Sequence, residues 1–252
     1  MRELSLAETA DVLRKLRELV ETRLVLLGGQ ALNYWAEWYM SRGATELEEG
    51  APYTSKDIDF YGGPNEAREC AALLGGKAKL ATLDDASPNT GVVCFRDSEG
   101  EEREIDFLRS SYGLKPGEVQ KWKFVVEIDH EEELRFLVLH PVVLMKSRLM
   151  AAADLPGYDS EQKLHQLRAA IICAREFLRE ALDLGETRAV LKWNTRIFRL
   201  AQSREALLVY RRHGIDAFEA ALEDERLPEK SLTEHFPRMR RVLAGRRAKA
   251  AR

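Results

Sequence analysis

Cysteine is scarce in this chain: Cys70, Cys94 and Cys173 are the only three, far apart and in no C-x-x-C pair. An odd, scattered set builds neither a disulfide framework nor a thiolate zinc site, and it suits a reducing compartment. Long apolar runs are also missing. No stretch approaches the roughly 18 apolar residues of a membrane span, and the N-terminus lacks an apolar signal core, so a soluble, cytoplasmic protein with no membrane partner is expected. A strong net charge is absent too, since Lys and Arg total 39 against 42 Asp and Glu, leaving −3. That balance argues against a surface that binds nucleic acid everywhere, while leaving room for a local basic patch. No G-x-S-x-G, Walker lysine, H-E-x-x-H or internal repeat occurs. What is present is 252 residues, 45% of them hydrophobic, which suffices for one large domain or two small ones.

"SLAE" at Ser5–Glu8 fits a capping box, and Val12, Leu13, Leu16 and Val20 recur at helical spacing, so 6–21 reads as an amphipathic helix. "RLVLLGG" reads as a buried strand ended by glycine, Gln30–Arg42 as a helix, and 43–55 as a loop. "DIDFY" (57–61) alternates as a strand does, and 65–76 reads as a helix closed by glycine. "KAKLATL", "GVVCFRD", "REIDFLRS", "KFVVEID" and "ELRFLVLHP" follow as strands. After Pro141 the pattern turns helical to the end. The expected architecture is α+β: a mixed sheet with flanking helices over 1–140, then a helical domain over 141–252. From Pro237 onward seven basic residues occur with no acidic one, and subtracting those seven charges from −3 leaves −10 for the rest. Such a tail suits RNA or an acidic partner, or else a solvated, partly disordered terminus.

Chemistry enters with the aspartates. Asp57 and Asp59, at i and i+2 on a strand, project from one face with Ile58 buried behind them. Two like charges so close are unfavourable without a cation, and Mg²⁺ prefers carboxylate and phosphate oxygens. Asp106 in "EIDFL" repeats the apolar–Asp–apolar context of Asp59 and could join the pair from a neighbouring strand. Three converging carboxylates suit two-metal phosphoryl or nucleotidyl transfer. Gly28 and Gly29 turn a strand into a helix whose first N–H groups can bind phosphate. Singly, each feature has a plain structural explanation; the order and context of all three carry the reading.

These stretches, "LLGGQAL", "SKDIDF" and "EIDFL", resemble the signature of the nucleotidyltransferase superfamily, whose fold is shared with the palm of DNA polymerase beta. The wording is most similar to AbiEii-type proteins, the toxins of type IV toxin–antitoxin pairs. "VLMKSRLMAA" (143–152) resembles that family's helix bearing a lysine and then an arginine. The resemblance implies an NTP substrate, two Mg²⁺ ions and a hydroxyl acceptor on RNA such as tRNA, on a protein or on a small molecule. It implies that Gly28, Gly29 and Gln30 hold phosphates, that Asp57, Asp59 and Asp106 bind metal, and that Asp106 helps activate the acceptor hydroxyl. Ser55 would contact the γ-phosphate, while Lys146 and Arg148 would neutralise phosphate charge. It also implies a cognate antitoxin.

Two departures stand out. Twenty-seven residues separate Gly29 from Asp57, including the acidic "ELEEGAP" near the expected mouth. "SEQKLHQLRAAI" lacks the late aspartate of the family, and Asp159 lies one turn earlier. A non-catalytic antitoxin or adaptor of the same fold, and an aminoglycoside-type small-molecule transferase, therefore stay open. Trp35, Trp38 and Tyr39 are expected in core packing, His165 on an exposed helix face and His140 at a strand end.

Overall fold

A computed structural model of the chain describes residues 3–82, 84, 88–115, 117–128 and 134–250. Leu83, Asp129 and Glu133, at the ends of three expected strands, and the terminal Arg252 lie outside the described residues. The chain divides into two compact units: Met1–Trp38 with Gly50–Leu144, and Tyr39–Glu49 with Met145–Arg252. The architecture is mixed α/β, with one seven-stranded mixed sheet and a helical C-terminal part.

In the first unit, α1 (Leu6–Lys15) starts at the expected capping box, with the Ser5 hydroxyl accepting from the Glu8 N–H and the Glu8 carboxylate accepting from the Ser5 N–H. The helix breaks at Leu16, and α2 (Arg17–Thr22) continues with Leu19 and Val20 buried. Hydrophobic periodicity cannot show this break, because Leu16 is itself fully buried. Then follow β1 (Val25–Leu26), α3 (Gly28–Met40), β2 (Ile58–Tyr61), α4 (Pro64–Leu74), β3 (Lys77–Leu80), β4 (Asn89–Arg96) and β5 (Glu102–Leu108). A short α5 (Glu118–Lys121), β6 (Lys123–Glu127) and β7 (Arg135–Leu139) complete the unit, and α6 (Pro141–Asp154) runs on into the second.

The strand order is β3-β4-β5-β2-β1-β7-β6. β1 pairs antiparallel with β2 and parallel with β7, while β2 pairs parallel with β5. Alternation sets the faces: Ile58, Phe60, Ile105 and Phe107 are fully buried, and Asp59 and Asp106 point to the other, half-exposed side. Trp35 packs in the core and donates from Nε1 to the Leu139 carbonyl at 2.9 Å. His140 ends β7, and its Nδ1 accepts from the Val142 N–H at 3.1 Å, capping α6.

The β4–β5 hairpin contains a buried ion pair. Arg103 is 1% exposed, and its Nε donates to Asp97 Oδ2 at 2.7 Å. Burial pushes the Asp97 carboxyl up, but Arg103 and the N–H groups of Glu99 and Glu101 outweigh it and hold the carboxyl below its usual range. Asp97→Ala should therefore destabilise the protein by about 3–5 kcal/mol, because it removes the carboxylate that balances a buried guanidinium. A depressed carboxyl contributes stability above its unfolded value that is lost as pH falls through the folded one. Urea titrations should show the alanine variant losing that acid-side dependence, and Asp97→Ala/Arg103→Met recovering most of the stability.

The second unit consists of the rest of α6, α7 (Glu161–Asp183), α8 (Thr187–Ala201), α9 (Arg204–His213) and α10 (Phe236–Ala250). Asn194 is buried on α8 and bonds the Leu222 backbone twice, donating to its carbonyl at 2.8 Å and accepting from its N–H at 2.9 Å. The second unit also takes in Tyr39–Glu49, and so the first part of the acidic insert. Thr45–Gly50 forms a 3-10 helix with Leu47 fully buried and Glu46 paired to Arg175 of α7 at 2.7 Å. Tyr39, also buried, donates its hydroxyl to Glu180 of α7. The C-terminal stretch is not a disordered tail, since its described residues up to Ala250 form α10.

Candidate functional site

The double glycine is required by close approach. Leu24 to Leu27 are fully buried, and the Leu27 N–H donates to the Asp59 carbonyl at 2.8 Å, which fixes β1 against β2. Gly28 then turns into α3 with φ +58°, a left-handed conformation that L side chains rarely adopt. A Cβ there would collide with the Asp59 carboxylate, lying 2.7 Å from its Cγ. A Cβ on Gly29 would lie 2.5 Å from Ser55 Cβ. Gly28 therefore abuts Asp59, and Gly29 abuts Ser55. The start of α3 offers its first N–H groups beside a carboxylate, where the helix dipole favours negative charge.

Ser55 is held by a bridge to Leu4, donating to its carbonyl at 3.1 Å and accepting from its N–H at 2.8 Å. Gln30 is fully buried. Its Nε2 donates to the carbonyls of Leu4 and Ser55, and its Oε1 accepts from Asn33. The Gln30 side chain thus fastens the Leu4–Ser55 bridge to α3, and only its backbone faces the glycine turn.

Register places Asp59 opposite Asp106 on the parallel strands β2 and β5. Asp57 stands one residue before β2 begins, half-buried rather than within the strand. Burial raises the Asp106 carboxyl above its usual range, the charges of Asp57 and Glu104 raise it further, and a hydrogen bond from Asn89 opposes them. That bond runs from Asn89 Nδ2 to Asp106 Oδ1 at 3.0 Å. Asn89 escaped the sequence reading because its reach depends on an irregularity in the β4–β5 register between Asn89 and Gly91, which no local pattern signals.

The acidic donors are hard oxygen ligands, half-buried and under mutual repulsion. Among the described residues no group of three or more His, Cys, Asp or Glu side chains is close enough to hold an ion unaided. The chemistry nonetheless fits Mg²⁺, which takes one or two carboxylates and completes its shell with phosphate and water.

Lys146 and Arg148 lie on α6 in the second unit, each half-buried. Arg148 Nη1 donates to Gln166 Oε1 at 2.9 Å, and Gln166 stands in the stretch that lacks the expected aspartate. His165 is half-buried rather than exposed, whereas Asp159 is exposed.

No family model matches the chain, and no curated protein does. Among solved structures, it is similar to an antigenic nucleotidyltransferase-like protein from Paracoccidioides brasiliensis, at 12% identity and a TM-score of 0.45 over 69% of this chain and 78% of that one. It is also similar to JHP933 from Helicobacter pylori, at 17% identity and a TM-score of 0.36 over 98% of this chain and 94% of that one. At such scores neither likeness carries an argument about function.

Proposed function

We propose that the protein is a metal-dependent nucleotidyltransferase, moving an NMP from an NTP to a hydroxyl of RNA such as tRNA, or of a protein. The observation that supports this most is the convergence of Gly28 on Asp59 and of Asp59 on Asp106. In this reading Asp57, Asp59 and Asp106 hold two Mg²⁺ ions, which when bound neutralise phosphate charge and polarise the reacting phosphoryl group. The N–H groups of Gly28, Gly29 and Gln30 receive phosphate oxygens at the start of α3, with the Ser55 hydroxyl beside them. Asp106, placed opposite Asp59 by the strand register, would also help activate the acceptor hydroxyl by taking up its proton. Orientation of the acceptor oxygen in line with the α-phosphorus provides the remaining acceleration. A place in the cytoplasm as the AbiEii-like toxin of a toxin–antitoxin pair, restrained by a cognate antitoxin, belongs to the same reading.

One observation favours a second reading, a non-catalytic adaptor of the same shape. Arg148 is engaged by Gln166 where the family carries an acid. Incubation with each α-³²P-labelled NTP, Mg²⁺ and total RNA or lysate separates the two. The transferase should label RNA or protein with at least one NTP, and EDTA should remove that labelling. Absence of label with all four nucleotides would overturn it.

A further inference from the structure

Helix α8 contains no acidic residue, and its four exposed positions are Arg188, Lys192, Arg196 and Arg199. Every exposed side chain of the helix is therefore a cation. Steps of four, four and three keep them on one face, about 6 Å apart along the axis for each step of four and about 16 Å end to end. Among the described residues no carboxylate pairs with Arg188, Lys192 or Arg199. The Arg196 guanidinium lies over the Trp193 ring at 4.5 Å from its centroid, which fixes the third cation in place.

The opposite face of α8 is already committed to the fold. Val190, Ile197 and Ala201 are buried, and Asn194 is tied to the Leu222 backbone by two hydrogen bonds. A lipid surface would need an exposed apolar face to insert, and every exposed position of α8 is charged. A protein interface would need an apolar or aromatic centre depleted of charge, whereas the exposed positions here are charged without exception. A row of cations about one helical turn apart complements a row of phosphodiesters.

The basic C-terminal stretch, the part of the sequence first expected to meet RNA, is turned in part toward its own unit. Arg240 pairs with Glu223, and Arg247 pairs with Asp216 while stacking on Tyr210. Arg246 donates to the Gln202 carbonyl. These guanidiniums fasten α10, so a polyanion would have to displace their partners.

We propose that the stripe Arg188–Lys192–Arg196–Arg199 of α8 is a docking surface for the phosphate backbone of an RNA strand. It rests on the transferase reading only in naming RNA as the acceptor class, and it is tested without NTP. Fluorescence anisotropy of a short labelled single-stranded RNA should show salt-dependent binding. Arg188→Ala/Lys192→Ala/Arg199→Ala should weaken that binding at least tenfold. It should also flatten the slope of log affinity against log salt by about 2, at about 0.7 per lost contact. Arg188→Lys/Arg199→Lys should keep the slope, because point charge alone is needed. Lys192→Glu alone should weaken binding, as a second probe with little scope to disturb folding. Arg238→Ala/Arg241→Ala/Lys249→Ala on α10 should have the smaller effect. An unchanged affinity and slope in the triple alanine variant, or a loss carried wholly by the α10 variant, would each overturn the proposal. A protein that binds RNA through α8 yet labels nothing would refute the transferase reading while leaving this surface standing.

Discussion

Asp57→Asn/Asp59→Asn should abolish transfer of labelled nucleotide, by about three orders of magnitude or more, without unfolding the protein. Metal-borne charge stabilisation is worth several kcal/mol, and each 1.36 kcal/mol is tenfold in rate. The two effects move apart because the aspartates repel. Asp106 has its carboxyl raised by burial and by the Asp57 charge, so the folded state loses stability as pH rises through the unfolded value toward the folded one. Removing the Asp57 charge lowers the Asp106 carboxyl toward its usual range and relieves that loss. The double variant should therefore melt at the same temperature or slightly higher at neutral pH, with less stability lost as pH rises above the ordinary carboxylate range. Calorimetry across that range, alongside the labelling assay, checks both halves. Undiminished labelling would refute the metal role.

Gly28→Ala should damage both stability and activity. The left-handed backbone costs an L side chain roughly 1–2 kcal/mol, and the added methyl has no room beside Asp59. Either the carboxylate swings away or the β1–α3 turn opens. An ångström of misplacement costs on the order of a hundredfold in rate, so transfer should fall about that much even in the folded fraction. Gly29→Ala meets the Ser55 side chain instead and keeps its ordinary backbone. Its activity loss should be smaller, with Asp59 undisturbed. Urea titration separates the stability loss from the rate loss, and equal effects of the two alanines would contradict the geometry.

Much of the first unit was legible in local patterns. Alternation placed Asp59 and Asp106 on the open face of their strands, because Ile58, Phe60, Ile105 and Phe107 had to be buried. The pairing of those strands was not legible, since β5 reaches β2 only after α4, β3 and β4 have intervened. Nor was Asn89, whose contact depends on that same long-range register. The partners of the Gln30 side chain were not legible either, since Leu4 and Ser55 lie 26 and 25 positions away in sequence. The local structure of the acidic insert was not legible. Leu47, a single apolar residue among glutamates, is fully buried in a 3-10 helix, and one buried leucine carries no periodic signal. The C-terminal arginines likewise read as a free tail because their acidic partners, Asp216 and Glu223, lie 31 and 17 positions earlier.

The two-residue strand β1 has a consequence for how the chain folds. It lies between β2 and β7 and is the sole link between the four strands on one side of the sheet and the two on the other. Its partner residues Val25 and Leu137 are 112 positions apart, whereas the β6–β7 pair closes within one hairpin. Closing so long a loop brings no reward until the ends meet, so local hairpins form first and the β1–β7 seam joins late. Gly28 sits two residues beyond that seam. The glycine turn is therefore completed only when the sheet itself is, and a chain that stops short of β7 would carry all three aspartates with nothing on that side to hold the turn in place.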